Sequence, residues 1–163
     1  VGSEMCIRDS DGSVSPIIGW YPLEKKPNAK ILVLRYLTEG GAAPSTGKFL
    51  TYREIPWGEV YFKQFQGRCL FRLAFGFGGK LDAFREIMER VGAQAISSGD
   101  VGYELEFMKG LFVRLILWAG DDEFPPSAQI LFSDNFPAAF TQGEDMAVVG
   151  DVTIDMLKAL AAK

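Results

Sequence analysis

Tyr103-Glu104-Leu105-Glu106-Phe107-Met108-Lys109-Gly110-Leu111-Phe112-Val113-Arg114-Leu115-Ile116-Leu117-Trp118 is the stretch on which the fold turns. Tyr103 to Phe107 alternates apolar and charged residues at period two, the pattern of a half-exposed strand. Lys109-Gly110 can reverse the chain into a second strand, Phe112 to Trp118. That apolar run stops at Gly120-Asp121-Asp122-Glu123, and Pro125-Pro126 redirect the chain towards a third strand, Ala128 to Phe132. Three consecutive strands joined by short turns predict an antiparallel sheet.

Helical signals lie on both sides of this hairpin region. Leu81, Phe84, Met88 and Val91 recur at helical spacing, with Asp82, Arg85, Glu86, Glu89 and Arg90 on the other face and Gly92 as a stop. Thr141-Gln142-Gly143-Glu144 has the capping-box pattern and opens a helix with Met146, Val149, Thr153, Met156 and Leu160 on one side. Upstream, Asn28 is the expected cap of a helix over 29–38, closed by Gly40-Gly41 in the left-handed manner. Its Ile31, Leu32, Val33, Leu34, Tyr36 and Leu37 surround the barrel, which predicts burial on all sides. Ile17 to Leu23 and Phe49 to Ile55 read as strands. Val60 to Phe65 is a further element, and Cys69 to Phe75 is ambiguous between helix and strand. The order predicts an α+β fold, a mainly antiparallel sheet with three helices packed on it.

Length and composition bound the rest. At 163 residues, 48% hydrophobic and 13% aromatic, the chain is expected to be one globular domain with a real core. The net charge of −4 comes without a Lys/Arg cluster, so no nucleic-acid partner is expected. No apolar run approaches the roughly 20 residues of a membrane span. Val1 to Ser10 resembles the translation of a transposase adapter used in DNA sequencing libraries. It is set aside as a non-native segment, leaving 11–163 as a single α+β domain whose natural N-terminus is missing. Removing Glu4, Arg8 and Asp9 leaves a net −3.

The chain has no histidine. Ser-His-Asp and Cys-His catalysis and His-based metal ligation are therefore outside its reach. Cys69 stands alone once Cys6 is set aside, which rules out a disulfide framework or a thiolate metal site in 11–163 and fits a reducing cytoplasm.

Three constellations can carry function. The acidic turn Asp121-Asp122-Glu123, with Asp134 and Glu144-Asp145 further on, is a structural turn, a ligand or partner site, or an oxygen-ligand site for a divalent metal. Gly76-Phe77-Gly78-Gly79-Lys80 precedes a helix and could cradle phosphate, although Leu81 stands where the P-loop needs Ser or Thr. Arg53, flanked by Tyr52 and Glu54 and followed by Trp57 and Tyr61, could pin the acidic turn or clamp an anion.

The ordered motifs Phe49-Leu50-Thr51-Tyr52-Arg53-Glu54-Ile55-Pro56, Ser98-Gly99-Asp100, Leu117-Trp118-Ala119-Gly120-Asp121-Asp122-Glu123-Phe124-Pro125, Ile130-Leu131-Phe132 and Glu144-Asp145 resemble the bacterial and archaeal family called domain of unknown function 3786. The resemblance runs from about Lys30 to Leu160. Two positions depart from it: Ser133 where the family commonly has Asp, and Lys109-Gly110 where it tends to carry Pro. The resemblance implies an uncharacterised function and further sequence upstream. Some relatives look like fusions to a cysteine-rich iron–sulfur segment, which this chain has no cysteines to match.

The resulting expectation is a cytoplasmic binding or accessory module, its cofactor unknown, with a small-molecule or protein ligand at Arg53, Tyr61, Trp118, Asp121, Asp122 and Glu123. The competing expectation is a carboxylate-dependent divalent-metal enzyme.

Overall fold

The computed structural model describes residues 5–7, 14–16 and 26–162. β1 (Met5–Ile7) and β2 (Val14–Pro16) pair antiparallel in a two-stranded sheet of their own. The strand expected at Ile17 to Leu23 lies outside the described residues, as does most of the adapter-like segment.

The main sheet contains β3 (Phe49–Thr51), β4 (Gln94–Ala95), β5 (Val101–Met108), β6 (Leu111–Trp118) and β7 (Ser127–Ser133), in the order β3-β7-β6-β5-β4. Every pairing is antiparallel. The three expected strands are neighbours, with Tyr103 opposite Leu115 and Leu115 opposite Ile130. The period-two pattern sorts the faces. Tyr103, Leu105, Val113, Leu115, Leu117, Ile130 and Phe132 point into the core and are buried. Glu104 and Arg114 sit opposite each other on the other face and pair at 2.8 Å, with the Arg114 guanidinium 3.7 Å above the Phe49 ring.

Helices cover the inner face, and among the described residues they form five bodies rather than three. α1 (Pro27–Glu39) is followed, after β3, by α2 (Gly58–Phe65), a π-helical turn (Gln66–Leu70) and α3 (Phe71–Phe77), which run on as one rod. Then come α4 (Leu81–Arg90), the short α5 (Phe136–Ala139) and α6 (Gly143–Ala161). The amphipathic reading of α4 holds: Phe84 and Met88 are fully buried, and Phe84 meets Tyr103 of the sheet edge-on at 6.0 Å. None of the helices in the described residues is long and apolar enough to cross a membrane.

Five local expectations are corrected. α1 starts with Pro27 in its first turn and Lys26 as N-cap, so Asn28 lies inside it, and Gly40 closes it in an extended conformation at φ −74°. α1 is also not buried all round. Ala29, Leu32 and Val33 face inward, whereas Ile31, Leu34 and Leu37 are 49%, 46% and 54% exposed. The strand expected over Phe49 to Ile55 ends at Thr51. The Glu54 carboxylate accepts bonds from the Thr51 N–H at 2.7 Å and hydroxyl at 2.8 Å, and these close a 3-10 turn, Tyr52–Glu54. The capping box therefore forms at Thr51 and Glu54. At α6 the cap is Gln142, with no side-chain bond, instead of Thr141.

α6 is the helix buried on most of its circumference. Met146, Val149, Thr153, Met156 and Leu160 are buried as the spacing predicts, and so are Ala147, Gly150, Ile154 and Leu157. It packs against α1, α4 and the α2–α3 rod. The approach to the rod is close at Gly150, where an added Cβ would stand 2.6 Å from the Cys69 Sγ. Cys69 is the small core residue its apolar neighbours suggest. It is fully buried, its thiol donates to the Ala147 carbonyl at 3.4 Å, and burial pushes the thiol pKa up. Beside it Tyr52 stacks on Phe65 at 3.9 Å and donates its hydroxyl to the Gly143 carbonyl at 2.6 Å.

This contact generates a test. Gly150→Ala should destabilise the protein by about 1–3 kcal/mol, the usual cost of overpacking. Adding Cys69→Ala removes the clashing sulfur and should recover part of that loss, so the two effects will not sum in urea denaturation. Simple additivity would mean that α6 and the π-turn are not in contact.

Candidate functional site

The acidic turn is built by its own backbone. Asp121 Oδ1 accepts the N–H groups of Glu123 at 2.9 Å and Phe124 at 2.7 Å, and the Asp121 N–H donates to the Phe124 carbonyl at 2.9 Å. The bonds from Phe124 and Glu123 hold the Asp121 carboxyl below the usual range. Asp100 secures the other side, its Oδ2 accepting the Ala119 N–H at 2.8 Å. Backbone N–H groups thus hold this turn, rather than Arg53, which the sequence offered for it. The turn presents Phe124, 67% exposed, and Trp118, 39% exposed, with Asp122 and Glu123 also at the surface.

Arg53 does not pin this turn. Its Nε and Nη2 reach Glu59 at 2.7 and 2.6 Å, and its guanidinium lies 4.7 Å from the Phe62 ring. A partner six residues away in the first turn of α2 is locally available, and it wins over one that only tertiary folding could supply. Arg114 is likewise engaged elsewhere, held by Glu104. Tyr61 accepts a bond from Arg68 Nη1 at 2.8 Å. The six expected site residues thus fall into separate groups: Trp118, Asp121, Asp122 and Glu123 on one turn, Arg53 with Glu59, and Tyr61 with Arg68.

Of the remaining candidate acids, Asp134 and Asp145 are engaged separately. Asp134 accepts from the Ser45 hydroxyl at 2.8 Å, the Thr46 N–H at 3.0 Å and the Thr46 hydroxyl, which ties down the loop before β3. Asp145 pairs with Arg35 of α1, and Glu144 is exposed in the first turn of α6. Among the described residues no three His, Cys, Asp or Glu side chains are grouped to hold a metal ion. In the glycine loop, the N–H groups of Gly78 and Lys80 donate to Ala74 and Phe77, closing the end of α3. A depression of about 180 Å³ lies between Gly92, Gln94, Glu104, Glu106 and Phe112, smaller than the roughly 300–1,000 Å³ of most ligand pockets.

Among the described residues the largest charged constellation joins segments far apart in the sequence. Arg68 Nε and Nη2 bind Asp151 Oδ2 at 2.9 and 2.5 Å. Arg72 spans to Asp151 Oδ1 at 2.8 Å and to Asp155 Oδ1 at 2.5 Å, and Lys26 reaches Asp155 Oδ2 at 3.1 Å. Arg68 lies in the π-turn and Arg72 one turn later; Asp151 and Asp155 have the same four-residue spacing on α6, so the two helices interlock as a ladder. Asp151 is 14% exposed and the arginines are each 32% exposed. Just outside the ladder stand Phe71 and Phe75, 49% and 65% exposed, with ring centroids 6.1 Å apart. Arg68/Arg72 and Asp151/Asp155 do repeat at helical spacing in the sequence. Nothing local says that the two pairs meet, which is why sequence reasoning passed over them.

Asp151→Ala would leave Arg68 without a carboxylate partner and Arg72 with Asp155 alone, and should cost about 2–4 kcal/mol, below the full value for a buried pair because the guanidinium groups reach solvent. For Asp155, burial pushes the carboxyl up, but bonds from Arg72 and Lys26 outweigh it and hold the pKa below its ordinary value. A depressed folded pKa contributes stability that is complete above the unfolded value, about 3.9, and is lost as pH falls through the folded one. The stability gap between wild type and Asp155→Asn, measured in urea, should stay constant from pH 7 to about 4 and close below it. A gap that closes near neutrality would show that the ladder does not exist in solution.

No curated protein matches this chain, and no solved structure does. One family model does, over residues 1–156, and it covers the ladder, the acidic turn and the whole sheet. The chain therefore belongs to the family described as domain of unknown function (DUF3786).

Proposed function

We propose that this domain is an accessory module that binds a partner protein through the outer edge of α3. One observation carries the reading: Phe71 and Phe75 stand next to each other on α3 and are 49% and 65% exposed. Aromatic side chains dominate the energetics of protein interfaces, and a fixed pair loses little entropy on binding. The ladder behind it fixes the helix on α6, so the pair is presented in one geometry. A second exposed element supports the same reading. Trp118 and Phe124 flank a turn whose backbone is fixed by Asp100 and Asp121. A free thiol at Cys69 fits work in the reducing cytoplasm.

The test is purification of the full chain from its native host at moderate ionic strength, alongside the double variant Phe71→Ala/Phe75→Ala. The wild type should retain a stoichiometric partner, and the variant should lose it at least 10-fold while melting within about 2 °C of wild type, as expected for exposed positions. Equal retention by the variant would refute the reading. A wild-type melting temperature raised by Mg²⁺, with no such rise in Asp121→Asn, would favour the divalent-metal enzyme instead.

A further inference from the structure

We propose that the partner of the α3 edge is an acidic amphipathic helix, which lays apolar side chains on Phe71 and Phe75 and carboxylates on the cations around them. The inference rests on the reading of the domain as an interaction module and adds the chemistry of what it binds.

The shape of the surface points to a helix. Val60, Gln64, Gly67, Phe71 and Phe75 follow one another at steps of three or four residues along the continuous α2–π–α3 rod, and all five are exposed. Such spacing makes one stripe, about 22 Å long at 1.5 Å per residue. The stripe has large apolar side chains at both ends, with Val60 79% and Phe75 65% exposed, and a glycine at its centre. A rod-like partner can lie along it and approach closely at Gly67.

The charge around the stripe selects the sign of the partner. The chain as a whole carries −4. Beside the stripe stand Lys63, Arg68, Arg72 and Lys158, with Lys26 behind them, against Asp151 and Asp155. Glu59, also at its border, is paired with Arg53. A locally cationic rim has thus been gathered on an acidic protein. Lys158 belongs to it because its Cε lies 3.6 Å from where a Cβ on Gly76, next to Phe75, would stand. Donors remain to be used. Arg68 spends three of its five N–H groups on Asp151 and Tyr61, and Arg72 spends three on Asp151, Asp155 and the Arg68 carbonyl. Partner carboxylates can take the rest as charge-assisted bonds. A second copy fits poorly, because a two-fold axis through the stripe would bring cationic rim to cationic rim.

The experiment couples carboxylates directly to lysines. The full chain is treated with a water-soluble carbodiimide in native-host lysate, which joins a lysine amine and a carboxylate as an amide with loss of water. The joined peptides are then sequenced. Lys63 or Lys158 should be linked to Asp or Glu of a helical segment with an apolar stripe. A synthetic peptide of that segment should bind the full chain at 50 mM salt, lose at least 10-fold affinity at 500 mM, and lose at least 10-fold with Lys63→Glu/Lys158→Glu. A partner that needs Phe71 and Phe75 but ignores salt and charge reversal would overturn the acidic partner and leave the interaction module standing. A partner indifferent to Phe71→Ala/Phe75→Ala, or no partner at all, would overturn both. Links only between two copies of this chain would make the stripe a self-association surface and overturn the proposal.

Discussion

The fit of α6 against the π-turn at Gly150 and Cys69 is the constraint on which the rest of this structure depends. α6 lies between α1, α4 and the α2–α3 rod, so its position sets theirs. An added Cβ at residue 150 would stand 2.6 Å from the Cys69 sulfur, so glycine is what allows the two backbones to come this close. That approach brings Asp151 and Asp155 within reach of Arg68 and Arg72. It also packs Ala147 over the Cys69 thiol and brings the start of α6 over the Tyr52 hydroxyl. One short contact thereby links an apolar core to a charged surface ladder.

The ladder is where stability and presentation meet. Its acids are less exposed than its arginines, so the negative charge lies inside and the positive charge faces out. Two carboxylates cannot cancel the surrounding cations, and the remainder is spread around two exposed phenylalanines. The acidic turn on the opposite kind of surface works differently. Asp121 satisfies its own loop, which leaves Asp122 and Glu123 at the surface beside two aromatic residues. A protein of modest net charge therefore carries two exposed aromatic elements of opposite electrostatic character.

Much of the fold was legible in the residues. The alternation of Tyr103 to Phe107, the turn at Lys109-Gly110 and the proline-directed return at Pro125-Pro126 placed three strands side by side, because side-chain period and turn chemistry are local properties. The helical spacing of Leu81, Phe84, Met88 and Val91 was equally local, and so was that of Met146 to Leu160. The motifs from Phe49 to Asp145 also identified the family. Capping was less legible, since Thr51-x-x-Glu54 and Thr141-x-x-Glu144 look alike and only the first closes. The arginine partners were not read from the sequence: Arg53 found Glu59 nearby, and Arg114 found Glu104 across the strand pair.

By itself, then, the sequence determined the class of fold, the antiparallel hairpins, the position of the acidic turn and the absence of histidine from these 163 residues. Each of these follows from residue type and short-range spacing. Tertiary structure alone decided which helix is buried and which charges meet. α1 and α6 are both strongly apolar, yet α6 occupies the centre while Ile31, Leu34 and Leu37 of α1 remain exposed. Arg68 and Asp151 are 83 residues apart, and no local rule relates them. Burial and ion pairing depend on which surfaces come together, and that is settled only when the whole chain has packed.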